Sequence, residues 1–310
     1  AITYKQEINI QLDVSSCDTF VLNHQHHRQT MNKQKSIRNI IIFSIVALGC
    51  GWLGVWINGQ IPSPSPQQSL GILIWILGPL VTSFILRGLG KDGWSDFGLR
   101  FNLKGNLRWY AFAFLLYPVT ITLTLLIAGL FGAATFDGLM TKGFPALLQI
   151  VGIGFAASLV KNIGEEFAWR GYLTPRFQAL GLSNVQNHLL TGVIWSLWHI
   201  PYWLFFLGSD AINSYTSMGM TGFIIIGLIA VFPIAFVFGE LRLKTGSVWP
   251  AYLVHNMTNA ITAQLIVEGF VKLKPGTELF FAPGTDGLII FAMFWVVWYW
   301  MNKQKTGNTR

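Results

Sequence analysis

Eight runs of apolar residues constrain this chain more than any other feature, because each is near the roughly 20 residues that a helix needs to cross a bilayer core. They cover 39–58, 70–86, 109–131, 144–163, 188–207, 222–238, 249–267 and 287–301. Hydrocarbon offers no partner for a backbone N–H or C=O, so a single apolar run of this length satisfies itself as a helix. The expected fold class is all-α, a polytopic membrane helical bundle of about eight transmembrane helices. Composition agrees: 11% of the residues are charged and 52% hydrophobic, whereas a soluble domain carries about 25% charge. Pro62, Pro64 and Pro66 mark the first connection as a loop, and Pro79, Pro118, Pro201 and Pro233 are expected to bend their helices.

On this reading residues 1–38 are a polar cytoplasmic tail, 39–301 the transmembrane domain with its reactive core at 144–267, and 302–310 a short cytoplasmic tail. The first 38 residues contain no apolar stretch of the kind a cleaved signal peptide needs. Met31 and the polar residues 32–35 ahead of the first run read as a natural start, so residues 1–30 are expected to be dispensable. His24, His26 and His27 read as part of a solvated tail. Cys17 and Cys50 offer neither a metal-ligand spacing nor a disulfide framework. With both termini inside, all of the 21 Lys and Arg except Lys142, Lys272 and Lys274 fall in cytoplasmic segments, the asymmetry that orients helical membrane proteins. The net charge of +8 is accounted for in this way. No nucleic-acid partner is expected, because no basic stripe interleaves with aromatics in a soluble module. The expected setting is the lipid bilayer of a bacterial inner membrane, with the oligomeric state left open.

Against this apolar background the polar groups are conspicuous. Glu165, Glu166 and Arg170 follow the fourth run, where such groups are costly unless they are paired or reactive. On a helix Glu166 and Arg170 lie four residues apart on one face and can pair. Glu165 is turned about 100° away and left for chemistry. His199 lies one turn beyond Trp195, and His255 and Asn259 are again four apart on one face. The fourth and seventh runs carry these groups and are expected inside the bundle. A carboxylate and a neutral imidazole can together take the proton of a water that attacks a carbonyl. A second imidazole and an amide N–H can donate to the resulting oxyanion. Ser196 is off the face of His199 and Cys50 has no partner, so attack by water is favoured over an acyl-enzyme. Zinc stays open as a cofactor, since His, His and Glu leave a position for water, although a helical HExxH arrangement is absent.

EExxxR at 165–170, an aromatic-xxx-His at 195–199 and HxxxN at 255–259, in this order on successive runs, resemble the CPBP intramembrane protease family. That family comprises CAAX-type prenyl endopeptidases and bacteriocin-processing or self-immunity relatives. Residues 94–100, WSDFGLR, and 243–249, LKTGSVW, echo it more faintly. The resemblance implies that Glu165 and His199 activate water, that His255 and Asn259 stabilise the oxyanion, and that Glu166 and Arg170 order the site. It implies a peptide or membrane-protein substrate cut near the cytoplasmic face, by a metalloprotease or a metal-free glutamate mechanism. Trp195 departs from the phenylalanine more usual in the family, which should keep the packing and narrow the pocket.

Two other readings use the same residues. A non-catalytic immunity or scaffold protein would employ the polar groups only to hold helices together, and a proton-coupled transporter would use them as a relay. No internal repeat pairs the first four runs with the last four, which counts against the transporter. Glu240 and Arg242 read as belonging to a wet loop. Gly129, Gly132, Gly152 and Gly154 read as points of close helix contact, and the tryptophans as interface anchors and packing.

Overall fold

The computed structural model describes residues 14–284 and 286–304, with side chains from Lys33 onward except at Ala263. The side chains of Cys17, His24, His26 and His27, and the dispensability of residues 1–30, lie outside the described residues. The helices are α1 (Val14–Gln60), α2 (Leu70–Gly88), α3 (Leu107–Leu130), α4 (Asp137–Lys142), α5 (Phe144–Ala168) and α6 (Thr174–Ala179). They continue with α7 (Asn184–Trp198), α8 (Ser209–Tyr215), α9 (Gly219–Thr245), α10 (Trp249–Val267), α11 (Glu278–Phe281) and α12 (Leu288–Lys303). Two wider, π-helical stretches, Trp169–Leu173 and Tyr202–Leu207, follow α5 and α7.

A helix stands at each of the eight apolar runs. Six segments are long and apolar enough to cross a membrane: Lys33–Gln60, Leu70–Gly88, Leu107–Leu130, Phe144–Ala179, Asn184–Leu207 and Gly219–Thr245. The α10 helix fails on hydropathy because His255, Asn256, Asn259 and Gln264 dilute its apolar residues, and α12 is short. The protein is an integral, multi-pass membrane bundle. Its one sheet element is a two-residue pairing, β1 (Ala134–Thr135) antiparallel to β2 (Lys272–Leu273), with Ala134 opposite Leu273.

Close packing sets the helix order. The α1 and α2 helices cross where Gly54 faces Gly71, and a Cβ on either would run into the backbone carbonyl of the other. Glycine is required there for steric reasons. The four glycines expected to do this mostly do not: Gly152 borders open space, Gly129 faces Phe136, and of the four only Gly154 faces another helix, where an added Cβ would lie 3.0 Å from the Ala260 carbonyl in α10. The α5 helix lies against α10 and α2, and α7 against α9. Pro79, Pro118 and Pro233 sit inside α2, α3 and α9, whereas Pro201 separates α7 from the wide turn after it.

Two expectations need correction. The fourth run is not interior as a whole: most of 144–161 is exposed, and predominant burial starts at Asn162 and becomes unbroken from Ala168 through Phe177. Its leucines and valines are at home in lipid, and only the polar segment that follows needs protein around it. Glu240 and Arg242 are not in a wet loop either. The α9 helix runs on to Thr245 and buries them at 2% and 6% exposure. Burial is possible because Glu240 Oε2 lies 3.2 Å from His188 Nε2 and Oε1 3.3 Å from Lys244 Nζ.

Candidate active site

The carboxylate pair sits within a longer helical rod, since the chain passes from α5 through the π turn into α6 without leaving helical geometry. The wide turn has a local cause. The Thr174 N–H reaches back five residues to the Trp169 carbonyl, and Pro175 has no N–H at all, so the Arg170 and Gly171 carbonyls lose their usual donors. Side chains supply the replacements: Arg242 Nε donates to the Arg170 carbonyl at 3.0 Å, and Arg87 donates to that of Gly171. The turn that carries Arg170 is thus anchored from α2 and α9.

Arg170 Nη1 donates to Glu166 Oε1 at 2.9 Å, with both side chains wholly buried. The guanidinium lies over the rings of Trp195 and Phe238, 4.2 and 4.9 Å from their centroids. The same Glu166 oxygen lies 2.8 Å from His255 Nδ1. An ionised carboxylate only accepts, so Nδ1 carries the proton and Nε2 is left free. His199 is arranged in the same manner, its Nδ1 donating to the Trp195 carbonyl at 2.8 Å. Its ring stacks on Trp203 at 5.1 Å. Behind it, Trp75 and Trp198 stack at 4.0 Å and exchange indole N–H bonds with each other's carbonyls, which locks α2 to α7.

Glu165 is held differently. Its Oε2 accepts from Trp195 Nε1 at 3.0 Å, a bond that the phenylalanine more usual in the family could not make. Its Oε1 lies 3.0 Å from Lys161 Nζ, at ion-pair distance but without hydrogen-bond alignment. The Glu165 side chain is 1% exposed. Asn259 Nδ2 donates to Asn162 Oδ1 at 2.8 Å, Asn162 to Asn256 at 2.9 Å, and Asn256 to the Phe155 carbonyl at 3.0 Å. This amide ladder joins α10 to α5.

A cavity of about 610 Å³ opens along the cluster. His199, His255, Asn259 and Lys161 line it, while Glu165, Glu166 and Arg170 lie behind its wall. The cavity continues between α9 and α10 to Tyr215 at the end of α8 and Asp286 in the loop before α12. All six sequence-predicted residues are therefore gathered into one region, three on the cavity and three behind it. Sequence reasoning missed Lys161 as a member of the site, as well as Asn162 and Asn256. The spacing of Lys161, four residues before Glu165, was a usable signal for the first; the two asparagines pair across helices and gave none.

Zinc was tested against the donors present. Among the described residues no group of three His, Cys, Asp or Glu is disposed to hold a metal ion. Glu166 is engaged by Arg170 and His255, and Glu165 by a lysine ammonium and an indole N–H. A cation against each carboxylate does not fit a zinc site, so no step below is routed through a metal.

Residues 146–261 match a family model described as type II CAAX prenyl endopeptidase Rce1-like. A curated relative, CAAX prenyl protease 2 of Methanococcus maripaludis, is 33% identical over 155 residues, which are 47% of this chain and 56% of the relative. The chain thus spans little more than half the length of the relative it matches. The matched region contains every one of the six motif residues. Through that region, and in agreement with its ordered motifs, the chain is similar to the Rce1-like endopeptidases of the CPBP intramembrane protease family.

Proposed function

We propose that this protein is an intramembrane endopeptidase that hydrolyses a peptide bond by metal-free activation of water. The observation that carries the reading is the pair of imidazoles on one cavity wall, each with Nδ1 engaged and Nε2 free. His199 Nε2 accepts a proton from water, and Glu165 is the carboxylate that holds this water and shares the proton. Water oxygen bonds to the scissile carbonyl carbon, and the carbonyl electrons move onto oxygen. His255 and Asn259 face this oxyanion. Because Nδ1 of His255 is committed to Glu166, its Nε2 donates only when the ring is an imidazolium, and the Glu166 carboxylate is the group that stabilises that charge. The C–N bond then breaks as the proton taken from water passes to the leaving amine. Arg170 and Glu166 act through position and charge.

The substrate is a peptide or small membrane protein entering from the bilayer, and the printed name of the relative suggests a prenylated C-terminus. The site is placed toward the cytoplasmic face of a bacterial inner membrane, with both termini inside. The test is turnover by purified protein in detergent of a fluorogenic peptide carrying farnesyl-cysteine and of its unprenylated counterpart. Wild type should cleave one of them, Glu165→Gln should not, and a chelator should leave the rate unchanged. Equal turnover by wild type and Glu165→Gln would overturn the assignment of Glu165. Loss with a chelator and rescue by zinc would overturn the metal-free route.

A further inference from the structure

Lys161 is not part of any motif named above, yet it stands between the proposed catalytic carboxylate and the cavity. Its ammonium is 3.0 Å from Glu165 Oε1, and its side chain is 35% exposed where that of Glu165 is 1% exposed. Lys161 is on the cavity wall and Glu165 is not. A lysine ammonium has three N–H donors, and among the described residues Glu165 is its one ion-pair partner. Much of the cavity wall, as at Trp195, Trp203, Tyr202, Phe238 and Val231, is aromatic or aliphatic, with His199, His255, Thr258 and Asn259 as polar groups among them. A half-satisfied cation facing an apolar cavity is a recognition element for an anion, because charge-assisted bonds strengthen where water is scarce.

We infer that Lys161 binds a carboxylate of the substrate, and that its movement onto that carboxylate uncovers Glu165 Oε1 for water. The two roles are one motion. In the free protein the ammonium neutralises Glu165 and shields it from the cavity. A substrate carboxylate competes for the same ammonium, and a small rotation of the flexible lysine stem exchanges one partner for the other. Turnover is thereby coupled to the arrival of a peptide that carries an acid near the scissile bond. That acid is either the C-terminus of the chain or an Asp or Glu side chain. The inference rests on the endopeptidase reading for its consequence in turnover, but its binding half stands alone.

The experiment uses the farnesyl-cysteine peptide in four forms: C-terminal acid, C-terminal amide, and the amide with Glu or Gln two residues after the scissile bond. The kcat/KM ratio of each acid to its neutral partner is measured for wild type, Lys161→Met and Lys161→Arg. Wild type should favour one acid over its neutral partner by about tenfold or more, as expected for a charge-assisted bond. Lys161→Met should bring that ratio to within about twofold, the scatter expected when no charged bond distinguishes the pair, and Lys161→Arg should preserve it. The form that shows the ratio identifies the source of the carboxylate. Should Lys161→Met be inactive, quenching of the cavity tryptophans by the same four peptides gives the ratio as affinities. Equal handling of acid and neutral forms by wild type, or an unchanged ratio in Lys161→Met, would overturn the inference while leaving the endopeptidase intact. Absence of cleavage with a Lys161-dependent acid preference in binding would do the reverse.

Discussion

Two buried charge clusters lie one turn apart in this protein, and they are built on opposite rules. In the first, Arg87, Asp92, Asp96, Tyr172, Arg176 and Arg242 join the loop after α2 to the π turn and α9. Arg87 bonds Asp96 at 2.7 Å as well as the Gly93 and Gly171 carbonyls. Arg176 pairs with Asp96 and, at 3.5 Å, with Asp92, while Tyr172 donates to Asp92 at 2.8 Å and Arg242 to the Asp96 carbonyl at 2.6 Å. Carbonyls that the helix leaves bare are used as acceptors, and none of these six side chains lines the cavity. In the second cluster, two cavity-lining imidazoles each keep a nitrogen, and a cavity-lining lysine keeps donors, without a partner among the described residues. Burying charge is costly in both. The first offsets most of that cost by pairing its members with one another and with backbone carbonyls, although Arg87 Nε, Asp92 Oδ1 and Arg176 Nε lack a hydrogen bond among the described residues, and becomes a clamp. The second leaves donors and acceptors open to an occupant, which distinguishes a site from a structural ion pair.

The sharpest way to break this contrast is to neutralise one carboxylate in the second cluster. Glu165→Gln should lower kcat/KM by on the order of 10³-fold, the range of a lost general base, with little change in thermal unfolding in detergent. A variant that unfolds early yet turns over normally per folded molecule would make the site a second clamp. The matching change in the first cluster is Arg87→Met. It leaves two carbonyls and one oxygen of Asp96 without their donor, and should destabilise the fold by about 2–3 kcal/mol, chiefly for the acceptors left without a donor, since the Asp96 side chain itself is 38% exposed. Turnover per folded molecule should be unaltered, measured after thermal unfolding has set the folded fraction. Pairing Arg87→Met with Asp96→Asn should recover part of the loss.

The difference between the clusters also explains what could be read beforehand. Glu166 and Arg170, or His255 and Asn259, are four apart, and a helix turns that spacing into a shared face. The apolar runs are equally local, so all eight helices lie where hydropathy put them. Apart from Arg87 and Asp96, which are nine residues apart, the clamp joins residues some 80 to 150 apart in sequence, as between Asp96 and Arg242, and nothing local encodes such pairs. Arg87, Arg176 and Arg242 were therefore counted as loop charges facing the cytoplasm. The same holds for Asn162, which meets Asn259 across 97 residues. The lengthened rod beyond Ala168 was missed for another reason. Pro175 and the glycine at 171 suggest a helix end, and only the side chains arriving from α2 and α9 make a continued helix tolerable. The strand pairing between β1 and β2 is two residues long on each side, too short to show alternation.

A milder change tests how far Trp195 belongs to the chemistry. Trp195→Phe keeps an aromatic ring under Arg170 and removes the N–H that holds Glu165 Oε2. A hydrogen bond to a charged group contributes about 1.5–3 kcal/mol, so kcat should fall by about tenfold with KM nearly unchanged. A fall in KM and kcat together, or none in either, would place Trp195 in packing alone.

Asp286 shows a third kind of burial. It sits in the loop before α12, outside the membrane-crossing segments, with Oδ1 accepting from Tyr215 at 3.3 Å and Oδ2 without a partner. No cation stands against it among the described residues, unlike the carboxylates of both clusters; the titratable groups beside it are Tyr215 on α8 and Tyr117 on α3. Burial outweighs the hydrogen bonds from its own backbone N–H and from Tyr215, which act the other way, and lifts its carboxyl from 3.8 to about 6. The folded protein then holds this proton more tightly than the unfolded chain. Stability from this group is complete below about pH 4 and is lost as pH rises to about 6. Asp286→Asn is neutral throughout. It should match wild type at pH 4 and exceed it by up to about 3 kcal/mol at pH 7.5, read as unfolding midpoints at the two pH values. A variant less stable than wild type at pH 7.5 would mean that the ionised carboxylate has a partner, and would move Asp286 from the uncompensated kind of burial to the clamped one.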